Sequence, residues 1–169
     1  APGRVVPLLA NTRGLSPALL SDVAITRSEA GPELMVRAYS VDRPERIDLY
    51  RVDPDTGRAR LVEVMFPETD DFIVDPASGK VVARSEYDSR TGTWSLHLRR
   101  ENDGFREMWR TVAPIDAPLL MGMGAVGDSI VVAADQPDMA SSDGDEARFF
   151  DVDLATGAWR PLDFDFPPQ

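Results

Sequence analysis

Residues 51–62 read RVDPDTGRARLV, and residues 151–162 read DVDLATGAWRPL. In each, an apolar-alternating run ends at Val-Asp, passes a turn of the form Asp-x-x-Thr-Gly and resumes with apolar residues. Asp53 and Asp153 stand in the same register of this device. Asp and Thr side chains satisfy backbone donors within such a turn, and Gly supplies the positive φ that closing it requires. The sequence therefore predicts the same β-hairpin twice.

Working outward, a fixed period appears. Aligning Gly57, Gly104 and Gly157 places a strand-like run before each glycine, at 47–53, 94–100 and 148–154. A second run follows each one, at 58–64, 105–111 and 158–164. Two further strand candidates lie upstream of each hairpin: SDVAITR and ELMVRAYSV, then DDFIVD and KVVARSEY, then PLLMGMG and SIVVAAD. No stretch carries a helical period over 11 or more residues, and LSPALLSD (15–22) offers one helical turn at most.

Four short antiparallel strands repeated about every fifty residues predict the blades of a β-propeller. The expectation is an all-β chain, a single partial propeller segment over 1–169, with blades near 15–64, 68–112 and 116–164. Residues 3–10 are expected as a leading strand, the outer strand of a preceding blade. A β-sandwich also has short strands at regular spacing, but it has no reason to repeat one hairpin at this period. Three blades fall short of the roughly four to eight of a closed propeller. The sequence thus suggests either a fragment or closure by self-association.

Composition bounds the function classes. A net charge of −11 disfavours a nucleic-acid surface, which needs clustered cations, and docking on anionic membranes. With no cysteine, disulfides, thiolate zinc sites and a thiol nucleophile are excluded. No apolar run reaches the roughly 20 residues of a membrane-spanning helix. The first residues do not form an intact signal peptide, which is compatible with cytoplasm or periplasm.

The runs LYRVDPDTGRARLV, VARSEYDSRTGTWSLHLRRENDGFREMWR and FFDVDLATGAWRPL make the chain similar to the N-terminal propeller of bacterial prolyl oligopeptidase family serine peptidases. The likeness covers about residues 4–164. It implies a seven-bladed propeller that sits over an α/β-hydrolase domain and gates peptide access to its serine. The partners implied are that hydrolase domain, or a second chain carrying it, and a peptide substrate. The chain departs from the family at the chemistry. It contains no G-x-S-x-G nucleophile elbow, since Gly127-Asp128-Ser129-Ile130-Val131 lacks the last glycine. No family catalytic residue carries over, so the chain alone is expected to lack a catalytic triad. No cofactor is implied. A stand-alone propeller-like binding module and a self-associating repeat array remain open as readings without enzymatic activity.

The remaining candidates read mostly as structure. His97, the lone histidine, alternates with apolar Trp94, Leu96 and Leu98 and is expected on the polar, solvated face of its strand. Asp135, Asp138, Asp143, Asp145 and Glu146 fall in a small, polar stretch expected as a long rim loop. Partner contact is the functional reading there, and a weak cation site the lesser one, because EF-hand ligand order is missing. Arg99, Arg100, Arg106 and Arg110 form a basic spot beside Glu101, Asp103 and Glu107, which favours internal ion pairing. LLMGMGAVG is expected as a tightly packed inner strand, and Trp94, Trp109 and Trp159 as packing between blades. DSRTGTW (88–94) fails the sialidase Asp-box, because Arg90 stands where its Asp belongs.

Overall fold

The computed structural model describes residues 5–9, 11–18, 23–28, 31–100, 104–134 and 148–162. Twelve strands form three four-stranded antiparallel sheets, with no helix among the described residues. The first holds β1 (Ala24–Ser28), β2 (Gly31–Ser40), β3 (Arg43–Val52) and β4 (Ala59–Glu63). The second holds β5 (Thr69–Val74), β6 (Val81–Asp88), β7 (Thr93–Arg100) and β8 (Gly104–Val112). The third holds β9 (Leu119–Met123), β10 (Ser129–Ala134), β11 (Arg148–Asp153) and β12 (Trp159–Pro161). Within each sheet, strands neighbouring in sequence pair in space, giving the up-and-down order of propeller blades. The chain is all-β and partial-propeller-like, as its repeat predicts.

The hairpin device accounts for three of the turns. At Asp53 the carboxylate accepts from the N–H groups of Asp55 (2.8 Å) and Thr56 and from Thr56 Oγ1 (2.7 Å). Gly57 N–H closes onto Asp53 O, and Asp53 N–H donates to Arg58 O. Asp153 repeats this network with Thr156, Gly157 and Ala158 between β11 and β12. Asp75 repeats it with Ser78, Gly79 and Lys80, but between the first two strands of its sheet. The device therefore marks tight hairpins in general rather than one position in a blade. Asp88-Ser89-Arg90-Thr91-Gly92 looks alike in sequence yet bonds differently: Thr91 N–H donates to Asp88 O, and Thr91 Oγ1 meets Thr93 Oγ1.

The chain divides into two compact units, residues 1–67 with 75–80, and residues 68–74 with 81–169. In the first, Val36, Ala38, Tyr50 and Val52 form one buried face of the sheet, packed on Leu15 and on Leu8 and Leu9 from the leading segment. That segment, expected as a strand over 3–10, is described over 5–9, where it covers this face and belongs to no β-ladder. Its Leu9 adopts φ of +66° while 1% exposed. Asp48, also buried on this sheet, accepts the Met65 N–H at 3.0 Å. The turn 75–80 adds two bonds, Arg27 N–H to Pro76 O and Arg51 Nη2 to Gly79 O, both at 3.1 Å.

In the second unit two sheets pack face to face. Strand β7, TWSLHLRR, buries Trp94, Leu96 and Leu98 completely, as its alternation requires. They meet Leu120, Ile130, Val132, Phe150 and Val152 of the third sheet. Trp94, Trp109 and Trp159 form a ladder with ring centroids 5.7 and 4.9 Å apart, and Phe150 lies 5.5 Å from Trp159. The tryptophans thus join two blades, as expected. Strand β9 is less enclosed than the sequence suggests: Leu119 and Met121 are more than half exposed. Its close approach lies just beyond, where Gly124 sits against Ser129 Oγ and Asp151 Oδ1 with no room for a Cβ.

Candidate functional site

Two groups of polar side chains have geometry that bears on function. The first lies on the second sheet, opposite its apolar face. Strand register sets Arg84 beside His97 and Glu86 beside Ser95 across β6–β7. Across β7–β8 it sets Glu107 beside His97 and Arg110 beside Ser95. His97 Nε2 lies 3.0 Å from Ser95 Oγ and 3.3 Å from Glu86 Oε2, while Arg84 holds the other oxygen of Glu86 at 2.7 Å. Arg110 pairs with Glu107 at 2.5 Å.

The sequence places His97 on a solvated face, but its side chain is only 12% exposed. Cross-strand neighbours with long side chains enclose it, an effect that alternation along one strand does not reveal. Burial is the main reason its pKa falls below the usual 6.5; Glu86 and Glu107 oppose that fall, and Arg84 and Arg110 reinforce it.

Serine, histidine and carboxylate here do not make a hydrolytic triad. In a triad the serine meets one ring nitrogen and the acid orients the other. Ser95 and Glu86 both approach Nε2, so Glu86 competes with the serine rather than orienting the ring toward it. Ser95 is also 6% exposed in mid-strand.

Three arginines of the nearby basic spot, Arg99, Arg100 and Arg110, are taken up by internal contacts. Arg99 donates to Val81 O, and both Arg84 and Arg99 lie over the Phe105 ring, at 4.6 and 4.3 Å. Arg100 reaches Ala155 O and Met108 Sδ. The expected ion pairing holds for Arg110 with Glu107, while Glu101 and Asp103 lie outside the described residues. The rim-loop candidates Asp135, Asp138, Asp143, Asp145 and Glu146 also lie outside them. Among the described residues, no group of three or more His, Asp or Glu side chains is arranged to hold a metal ion.

The second group lines an open groove of about 760 Å³ in the first unit, along the β3–β4 hairpin and the start of β2. Its charged walls are Arg51, Arg58 and Arg60 with Glu33, Asp53 and Asp55; Pro32, Leu61 and Val62 supply apolar surface. Arg51 is committed, through Nε to Glu33 at 3.3 Å and through Nη2 to Gly79 O. Asp53 is committed to its turn, and hydrogen bonds from Thr56 and Asp55 hold its pKa below the usual 3.8. Arg60 makes no hydrogen bond or ion pair among the described residues, and acts on Asp53 only through space. Sequence reasoning missed this groove. The signal was the pairing of Arg51 with Arg60 across the predicted hairpin, legible once the register is fixed.

Compared with protein-family models, curated proteins and solved structures, the chain matches none.

Proposed function

We propose that the chain is the substrate-gating propeller portion of a prolyl oligopeptidase-like serine peptidase, whose catalytic α/β-hydrolase domain lies outside these 169 residues. The observation that carries this reading is the run of three consecutive four-stranded up-and-down sheets, two of them stacked through a tryptophan ladder. The runs that resemble the family lie within those sheets. In this reading the blades are a barrier: packed disc-like over an active site, they admit short or flexible peptides and refuse folded proteins. Selectivity by exclusion needs no reactive group on the blades, and the Ser95–His97–Glu86 geometry offers none.

A stand-alone binding module is the second reading, favoured by the groove in the first unit. The deciding experiment is light scattering on the native particle, with mass spectrometry of every chain in it and peptidase assays on short and long peptides. The gating reading expects a G-x-S-x-G hydrolase segment in the same polypeptide or a companion chain. It also expects hydrolysis of folded or long substrates to rise when the blades are removed. A native particle holding neither hydrolase segment nor peptidase activity sinks the gating reading and leaves the binding module.

A further inference from the structure

The first and third sheets carry the same hairpin, yet their cross-strand charges differ. In the third, Asp151 faces Arg160 across β11–β12, and the pair closes at 3.0 Å. At the corresponding positions of the first, Arg51 faces Arg60 across β3–β4. Like charges directly opposite each other weaken a sheet, and Arg51 turns away to Glu33 and Gly79 O. Arg60 is left exposed on the groove wall, two positions along the chain from the exposed Arg58. Along extended chain, side chains two positions apart share a face about 6–7 Å from each other.

We propose that this groove binds an extended acidic peptide segment, with two carboxylates two residues apart pairing with Arg58 and Arg60. An extended peptide repeats the two-position spacing of Arg58 and Arg60 along their own chain, so a carboxylate at every second residue can face each arginine. A bound carboxylate also relieves the repulsion between Arg60 and Arg51. Val62, two positions beyond Arg60, and Pro32 give apolar surface to the aliphatic stems of the carboxylate side chains. Backbone pairing along β4 is restricted, because the Ala59 N–H is taken by Thr12 Oγ1 at 2.7 Å; recognition therefore runs through side chains. Arginine suits this task because its planar fork matches a carboxylate. The inference is independent of the hydrolase assignment, since binding belongs to this chain alone.

The test is calorimetric titration of the 169-residue chain with a blocked Val-Glu-Val-Glu-Val peptide at low salt, beside its Gln counterpart and free glutarate. The Glu peptide is expected to bind about tenfold tighter than the Gln peptide and to weaken as salt screens the pairs. The variant Arg60→Asp recreates the Asp–Arg arrangement of the third sheet in mirror order. It is expected to lower affinity about tenfold while leaving the circular dichroism and urea midpoint unchanged or improved. Arg58→Gln is expected to cost less. Equal binding of the Glu and Gln peptides, glutarate binding as tightly as the peptide, or unchanged affinity in Arg60→Asp would each overturn the proposal.

Discussion

Trp109 on β8 and Trp159 on β12 lie with ring centroids 4.9 Å apart, and this pair ties the second sheet to the third. Trp109 is the middle of the ladder, since its other side meets Trp94 edge-on at 5.7 Å. Aromatic pairs of this kind contribute about 0.5–1.5 kcal/mol each beyond the area they bury. Trp109→Ala removes both pairs at once from a half-buried position. The expected loss is about 1–3 kcal/mol, read as a lower urea midpoint. A loss under about 1 kcal/mol would mean that the ladder does not hold the two sheets together.

The two best-matched hairpins respond differently to one substitution. Gly57 and Gly157 have φ of +67° and +74°, so an alanine at either pays roughly 1–2 kcal/mol for the left-handed backbone. At Gly157 the added methyl meets the flexible end of Met108, which can move aside. At Gly57 it meets the backbone carbonyl of Pro7 in the leading segment, which cannot yield so easily. Gly57→Ala is therefore expected to destabilise more than Gly157→Ala in matched denaturant titrations. Equal losses would show that the leading segment does not press on this turn.

Acid should weaken the protein in two stages. Hydrogen bonds from Thr56, from Arg90 and from Thr156 hold Asp53, Asp88 and Asp153 below the usual 3.8. For Asp75 burial pushes the other way, but Ser78 and Ala77 outweigh it. A carboxylate depressed by folding stabilises fully above its unfolded pKa, and that contribution is lost as pH falls through the folded value. The loss belongs below about pH 4. His97 is also depressed, so the fold favours its neutral form. Its contribution is full above 6.5 and declines as pH falls from there to its folded value. Urea midpoints across pH should show a shallow early loss that His97→Gln removes and a later one that it leaves. An NMR titration placing His97 above 6.5 contradicts the first stage.

Ser95 should be inert toward serine-directed reagents. The chain alone is expected to escape labelling by a fluorophosphonate probe, and Ser95→Ala to leave any activity of a larger assembly intact. Labelling that Ser95→Ala abolishes would mean that the shared approach to Nε2 is not the working geometry.

How much was legible in the sequence depended on whether the deciding interactions were local. The Asp53 and Asp153 turns could be read because each network closes within six residues and rests on side-chain chemistry. Alternation in TWSLHLRR assigned Trp94, Leu96 and Leu98 to the core for the same reason: β geometry fixes which residues share a face. The strand order followed from the repeat. The turn at Asp75 shows the limit, since the same local device serves another hairpin and carries no blade address.

His97 and Arg60 depended on what stands opposite them. Alternation set His97 on the polar face, but Glu86, Arg84 and Glu107 on neighbouring strands bury it. Arg51 and Arg60 are unremarked charges along the chain until strand register sets them face to face. Likewise, nothing in residues 5–9 announces that they cover the first sheet, because a short apolar segment gains its place only from the surface it meets. The sequence by itself determined the strands, their turns and their repetition, since backbone geometry and local hydrogen bonds act over a few residues. Only the tertiary structure decided which charges are paired, buried or left open, because those depend on neighbours that folding brings together.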